Sequence, residues 1–86
     1  MGYPQRIWLL QGPPGSFPVP LCTPSGKMIT LLMDGNNTVS QLKDSIRASE
    51  GFLYSHQQLF AGDEELENGI RLSTINYSQP IDIVLA

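Results

Sequence analysis

The side chains of this sequence that could carry out chemistry are few and scattered. The candidate nucleophiles are a single cysteine, Cys22, and several serines, with one histidine, His56, as the candidate base. The candidate serines are Ser40, Ser45, Ser55 and Ser73. No nucleophile elbow or phosphate-binding glycine loop surrounds any of them. We interpret His56 as a solvated turn residue, and we expect a protein that is not an enzyme.

The same scarcity limits metal and cofactor binding. One cysteine and one histidine cannot supply the ligands of a usual zinc site or of a cysteine-ligated iron–sulfur cluster. A lone cysteine also cannot form a disulfide within the chain, which fits a reducing compartment. We therefore expect no cofactor and no metal, and we interpret Cys22 as an inert thiol.

Length and charge narrow the class of protein further. The 86 residues suffice for one domain, which we place over residues 1–86. The net charge is −3 and the basic residues are scattered, so a nucleic-acid partner is not expected. No apolar run approaches the ~20 residues of a membrane span, so we expect no membrane partner, and we expect no signal peptide because the first residues lack a basic segment followed by a long apolar one. Four acids gather in one stretch, which we interpret as a solvated turn: Asp63, Glu64, Glu65 and Glu67.

A helix is the clearest of the elements that must position these side chains. Thr38 and Gln41 have the spacing of a capping box, in which each side chain accepts from the other residue's backbone N–H. Val39, Leu42 and Ile46 then share one helical stripe. Gly51 suits the left-handed position after the last turn. The pattern predicts a helix over Val39–Glu50.

Short apolar segments predict a mixed sheet around that helix. Predicted strands cover residues 28–33, 57–61, 65–66 and 81–85, with a single 3₁₀-type turn at 72–76. In the last strand Ile81, Ile83 and Leu85 should point inward and Val84 outward. With a first strand before residue 28, the order is ββαββ, an α+β fold whose last strand is central and parallel to the first.

Two positions are possible for that first strand. The run Ile7, Trp8, Leu9 and Leu10 is one, which would make residues 12–25 a Pro/Gly-rich loop. Residues 17–22 are the other, which would make residues 1–16 a tail. Proline removes a hydrogen-bond donor and is rare in central strands, so Pro18 and Pro20 favour the first position.

From residue 26 onward the chain resembles ubiquitin and the ubiquitin-like domains. The similar stretches, in order, are residues 26–31, 38–43 with 46, 50–51, 57 with 59–62, 66–69, 72–73, 76 and 83–85. Residues 1–25 diverge from the family. The resemblance implies a β-grasp fold that binds protein partners through surface patches.

The resemblance also implies which residues face a partner. Val84 matches a valine of the main apolar patch. Phe60 matches either the patch isoleucine or the next, half-buried aromatic position, and both alternatives stay open. Trp8 falls, with residues 7–10 as the first strand, where ubiquitin exposes an aromatic ring, although ordinary core packing is equally consistent with its sequence.

Three polar residues replace the basic rim of that patch. Gln58, Glu64 and Asp82 stand where the family pattern has basic side chains, so the local charge has changed sign. Lys43 matches a lysine that ubiquitin largely buries. The resemblance therefore implies that ubiquitin's own partners would meet unmatched charges here.

The sequence thus supports two functional hypotheses. The first is a monomeric, non-conjugated ubiquitin-like interaction module of a larger protein in the cytoplasm or nucleus. Its partners would be ubiquitin-receptor proteins, proteasome-type proteins or proteins specific to its own family. The alternative is a processed modifier whose Gly-Gly tail follows Ala86 in the full protein.

Overall fold

The computed structural model describes residues 15–86. Over this part of the chain the strands are β1 (Ser16–Cys22), β2 (Met28–Asp34), β3 (Gln57–Ala61), β4 (Glu64–Glu65) and β5 (Ile81–Leu85). One α-helix, α1, spans Val39–Glu50, and single 3₁₀ turns lie at Tyr54–His56 and Leu72–Thr74.

The five strands form one mixed sheet in the order β2-β1-β5-β3-β4. β5 is central and runs parallel to β1, whereas the other neighbouring strands are antiparallel. α1 packs across one face of this sheet. The predicted α+β, ββαββ arrangement is therefore confirmed, and it is compatible with a β-grasp fold.

The ends of α1 follow from local hydrogen bonding. The backbone N–H of Thr38 donates to Oε1 of Gln41 at 2.8 Å, and the N–H of Gln41 donates back to Thr38 Oγ1 at 3.5 Å. This capping box satisfies donors that the first turn leaves without partners. At the other end Gly51 adopts φ 80°, a left-handed conformation that favours glycine. The predicted helix bounds are confirmed.

The preferred position of the first strand was wrong. The place in the sheet that we assigned to residues 7–10 belongs to β1, and residues 7–10 themselves lie outside the described residues. The expected loop at 12–25 is likewise wrong over Ser16–Cys22. Val19 and Leu21 are fully buried, so strand alternation turns Pro18 and Pro20 to the opposite face.

The two prolines are tolerated because β1 is central over only part of its length. β5 pairs with β1 at Leu21 and Cys22 alone. Over Ser16–Pro20, the edge of β1 away from β2 has no partner strand among residues 15–86. Proline is compatible with such an edge, where its missing N–H breaks no ladder bond.

The core lies between α1 and the inner face of the sheet. Val39, Leu42 and Ile46 of α1 are fully buried, as the helical stripe predicts. They meet buried side chains from four strands and their connections: Val19, Leu21, Met33, Leu59, Leu66, Leu72, Ile81 and Ile83.

Two strand details differ from the prediction. Leu85 is 41% exposed rather than buried, because it lies at the end of β5, beyond Ile83, where core packing stops. β4 begins one residue earlier than predicted, and Leu66 follows it as a core residue that is 4% exposed. No helix in residues 15–86 is long and apolar enough to cross a membrane.

Candidate interaction surface

The sheet face opposite α1 is here called the outer face. Within the described part of the chain it is exposed to solvent. Strand alternation assigns it these side chains: Ser16, Pro18, Pro20 and Cys22 of β1; Met28, Thr30, Leu32 and Asp34 of β2; Gln58 and Phe60 of β3; Glu65 of β4; Asp82 and Val84 of β5. Several of these are apolar, and Met28, Leu32 and Val84 are 56%, 42% and 41% exposed. Contiguous apolar surface marks binding sites, whereas single exposed apolar residues are ordinary, so these three residues make the outer face a candidate only.

Phe60 belongs to this outer face. Its neighbour Leu59 is completely buried against the core, so Phe60 must point the other way. Phe60 is half-buried, which fits a large ring lying along a sheet. The structure therefore decides the question that the sequence left open, and it places Phe60 on the surface beside Val84.

Asp82 lies at the centre of the outer face. It is the cross-strand partner of Phe60 on one side and of Cys22 on the other. Side chains of directly opposed residues contact each other on one face of a sheet. Phe60, Asp82, Val84 and Asp63 line an open cavity of about 490 Å³ here. The arrangement offers an apolar depression with a carboxylate in its wall.

The charge around this cavity is acidic. Asp63 and Asp82 line it, and Glu65 is opposite Phe60 in the β3–β4 pair. Within residues 15–86 the ion pair found is between Lys27 and Glu50, with 3.5 Å from Nζ to Oε1. The three carboxylates therefore have no cationic partner in the described part of the chain.

Two further residues predicted to face a partner, Gln58 and Glu64, lie on opposite faces of the sheet. Gln58 is opposite Val84 and lies on the outer face. Glu64 is opposite Ala61, so its side chain is on the other face, where it lines a second cavity of about 490 Å³ with Leu66 and Ile75.

The structure thus brings Gln58, Phe60, Asp82 and Val84 together and places Glu64 apart from them. Glu65 occupies the outer face in its stead. Trp8 lies outside the described residues.

Met28 and Leu32 were not predicted as surface residues. Their exposure follows from β2, in which Met33 is buried and Ile29 and Leu31 pack against the core. The alternation of β2 was a sufficient signal, because every second residue of a half-buried strand faces solvent.

The candidate chemical groups do not converge. His56 is exposed in the turn before β3, as interpreted from the sequence, and Cys22 is half-buried on the outer face. In the described residues no three histidine, cysteine, aspartate or glutamate side chains are grouped as a metal site would require.

Comparison with known proteins does not assign this chain to a family. No protein-family model matches the chain, and no curated protein matches it. The fold and the outer face are therefore the features of this chain that bear on its function.

Proposed function

We propose that this protein is a non-catalytic, ubiquitin-like interaction module that binds protein partners through the outer face of its sheet. The observation that carries the proposal is the shared position of Phe60 and Val84 around one cavity. Aromatic and aliphatic side chains at the centre of a surface patch are typical anchors of protein interfaces.

The β-grasp-like arrangement of strands and helix supports the proposal that this domain is ubiquitin-like. The similar stretches between residues 26 and 85 fall on α1, on parts of β2, β3 and β5, and on seven of the core residues. These seven are Val39, Leu42, Ile46, Leu59, Leu66, Leu72 and Ile83. Fold alone does not define function, so the outer face remains the decisive feature. We propose ubiquitin-receptor or proteasome-type proteins as the first partner class to test, in the cytoplasm or the nucleus.

Chemical-shift mapping tests this function. The isotope-labelled full chain would be titrated with two ubiquitin-associated domains, one with a basic binding surface and one with an acidic binding surface. We expect shifts that cluster on Phe60, Val84 and their strand neighbours. Shifts elsewhere, or none with either probe, would contradict binding of this partner class through the outer face.

A matched pair of variants controls for charge. Val84→Lys introduces a cation on the outer face, and Ala48→Lys introduces the same cation on the exposed side of α1. Val84 is already 41% exposed, so the fold should survive the change. We expect Val84→Lys to abolish the shifts and Ala48→Lys to leave them unchanged.

A further inference from the structure

The outer face combines exposed apolar side chains with carboxylates that have no cationic partner among residues 15–86. Asp82 is the clearest case, because it stands between Phe60 and Cys22 on the central strand. Any segment that covers Phe60 and Val84 must also remove water from this carboxylate. Removing water from an unpaired charge is unfavourable, so a neutral apolar partner would lose affinity there.

A partner with cationic side chains avoids that cost. Asp63 lines the same cavity as Asp82, and Glu65 lies opposite Phe60, so acidic groups flank the apolar centre on more than one side. Lysine or arginine side chains at the rim would meet these carboxylates, whereas acidic segments would meet like charges.

A second copy of this chain does not fit the same surface. A two-fold dimer through the outer face would bring the carboxylates of one copy against those of the other. The described Lys and Arg residues lie elsewhere: Lys27 pairs with Glu50, Lys43 is buried, Arg47 is on α1, and the backbone of Arg71 pairs with that of Thr38, the residue before α1. The charge distribution thus favours a different, basic partner.

We infer that the outer face takes a polypeptide segment in which a large apolar side chain is flanked by lysine or arginine. This inference rests on the proposed function and specifies the chemistry of its partner. The apolar side chain occupies the cavity beside Phe60 and Val84, and the cations pair with Asp82 and Asp63.

Selection from a random twelve-residue peptide library displayed on phage tests the inference, with the full chain as bait. Selected peptides would be synthesised and their Kd measured at two salt concentrations. We expect enrichment of lysine and arginine around a large apolar residue, and weaker binding at higher salt.

Substitutions then identify which residues of the outer face bind the selected peptides. Val84→Lys should abolish binding. Asp82→Asn and Asp63→Asn should each raise Kd about two- to five-fold, the range of an exposed charge pair. Asp44→Asn on the exposed side of α1 removes the same charge from another surface and should leave Kd unchanged.

The outcomes separate this inference from the proposed function. Peptides that need Val84 but are neutral or acidic would overturn the basic partner and leave the interaction module intact. Peptides that bind independently of Val84 and Phe60, or no selected peptides, would overturn the inference, whereas the proposed function fails only if the shift mapping with folded domains gives no shifts on the outer face. A shift of outer-face resonances in free Trp8→Ala protein would show that residues 1–14 occupy the surface, and would also overturn the inference.

Discussion

The ammonium group of Lys43 in α1 donates a hydrogen bond of 2.8 Å to Oδ1 of Asn68. Lys43 is only 8% exposed, and its Nζ atom is 5.6 Å from the centre of the Tyr54 ring. The Tyr54 hydroxyl in turn lies 2.7 Å from Oγ of Ser40. A nearly buried cation is thus held by one amide oxygen and one aromatic face, which ties α1 to the loop after β4.

Removal of the amide should destabilise the domain. Asn68→Ala leaves the Lys43 cation without its acceptor, so we expect the free energy of unfolding to fall by about 1–3 kcal/mol. Urea unfolding followed by circular dichroism measures this. Lys43→Met removes the cation and keeps most of the volume, so Asn68→Ala should cost less in that background. Equal costs in both backgrounds would show that the hydrogen bond contributes nothing.

The two lysines of the described chain should differ in reactivity. The side chain of Lys27 is 63% exposed, whereas Lys43 is buried and hydrogen-bonded. Acylation needs an accessible amine, so Lys27 should react several times faster with a limiting acetylating reagent. Peptide mass spectrometry of the folded protein gives both rates. Similar rates would indicate that Lys43 is accessible in solution.

Neighbouring residues on β3 should respond very differently to truncation. Leu59 is completely buried, so Leu59→Ala should cost about 2–5 kcal/mol of unfolding free energy. Phe60→Ala should cost clearly less, because Phe60 lies on the outer face and keeps solvent contact. Denaturant unfolding compares the two variants. A larger loss for Phe60→Ala would contradict its surface position.

The capping box should contribute measurably to stability. Thr38→Ala removes the hydroxyl that accepts from the Gln41 N–H, and we expect a loss of about 1 kcal/mol. Thr38→Ser keeps the hydroxyl and serves as the matched control. Thermal unfolding of the three proteins would detect the difference. If serine and alanine destabilise equally, the hydroxyl is not responsible.

Stability at alkaline pH should depend on Tyr77. Burial raises the pKa of its hydroxyl above the ordinary value of 10.0, and the hydroxyl donates to the Leu72 carbonyl at 2.7 Å. Below pH 10 both folded and unfolded chains keep this proton, so its contribution is complete. Above pH 10 the unfolded chain loses the proton first, and stability falls as the pH rises through the raised pKa.

Tyr77→Phe isolates this effect. The variant lacks the ionising group, so its unfolding free energy should fall less steeply between pH 9 and pH 11 in urea titrations. Tyr54 remains in both proteins and provides a common background. Parallel pH profiles would show that the Tyr77 hydroxyl ionises equally well in the folded state.

Much of the fold is encoded in local sequence patterns. The bounds of α1 follow from the capping pair Thr38 and Gln41 and from Gly51, because helix ends are set by hydrogen bonds within a few residues. The outward position of Val84 follows from strand alternation for the same local reason. These features needed no knowledge of the neighbouring strands.

Tertiary pairing decided what local patterns could not. Pro18 and Pro20 argued against a central strand, and only the short β1–β5 pairing shows why they are tolerated. Phe60 fitted core and surface equally until the buried Leu59 set its side of the sheet. Glu64 and Glu65 are adjacent and therefore point to opposite faces, and the β3–β4 register decides that Glu65 is the one on the outer face. Sequence by itself determined the helix and four of the five strands, whereas tertiary pairing decided the first strand and which side chains share a surface, because strand pairing and register depend on contacts between distant segments.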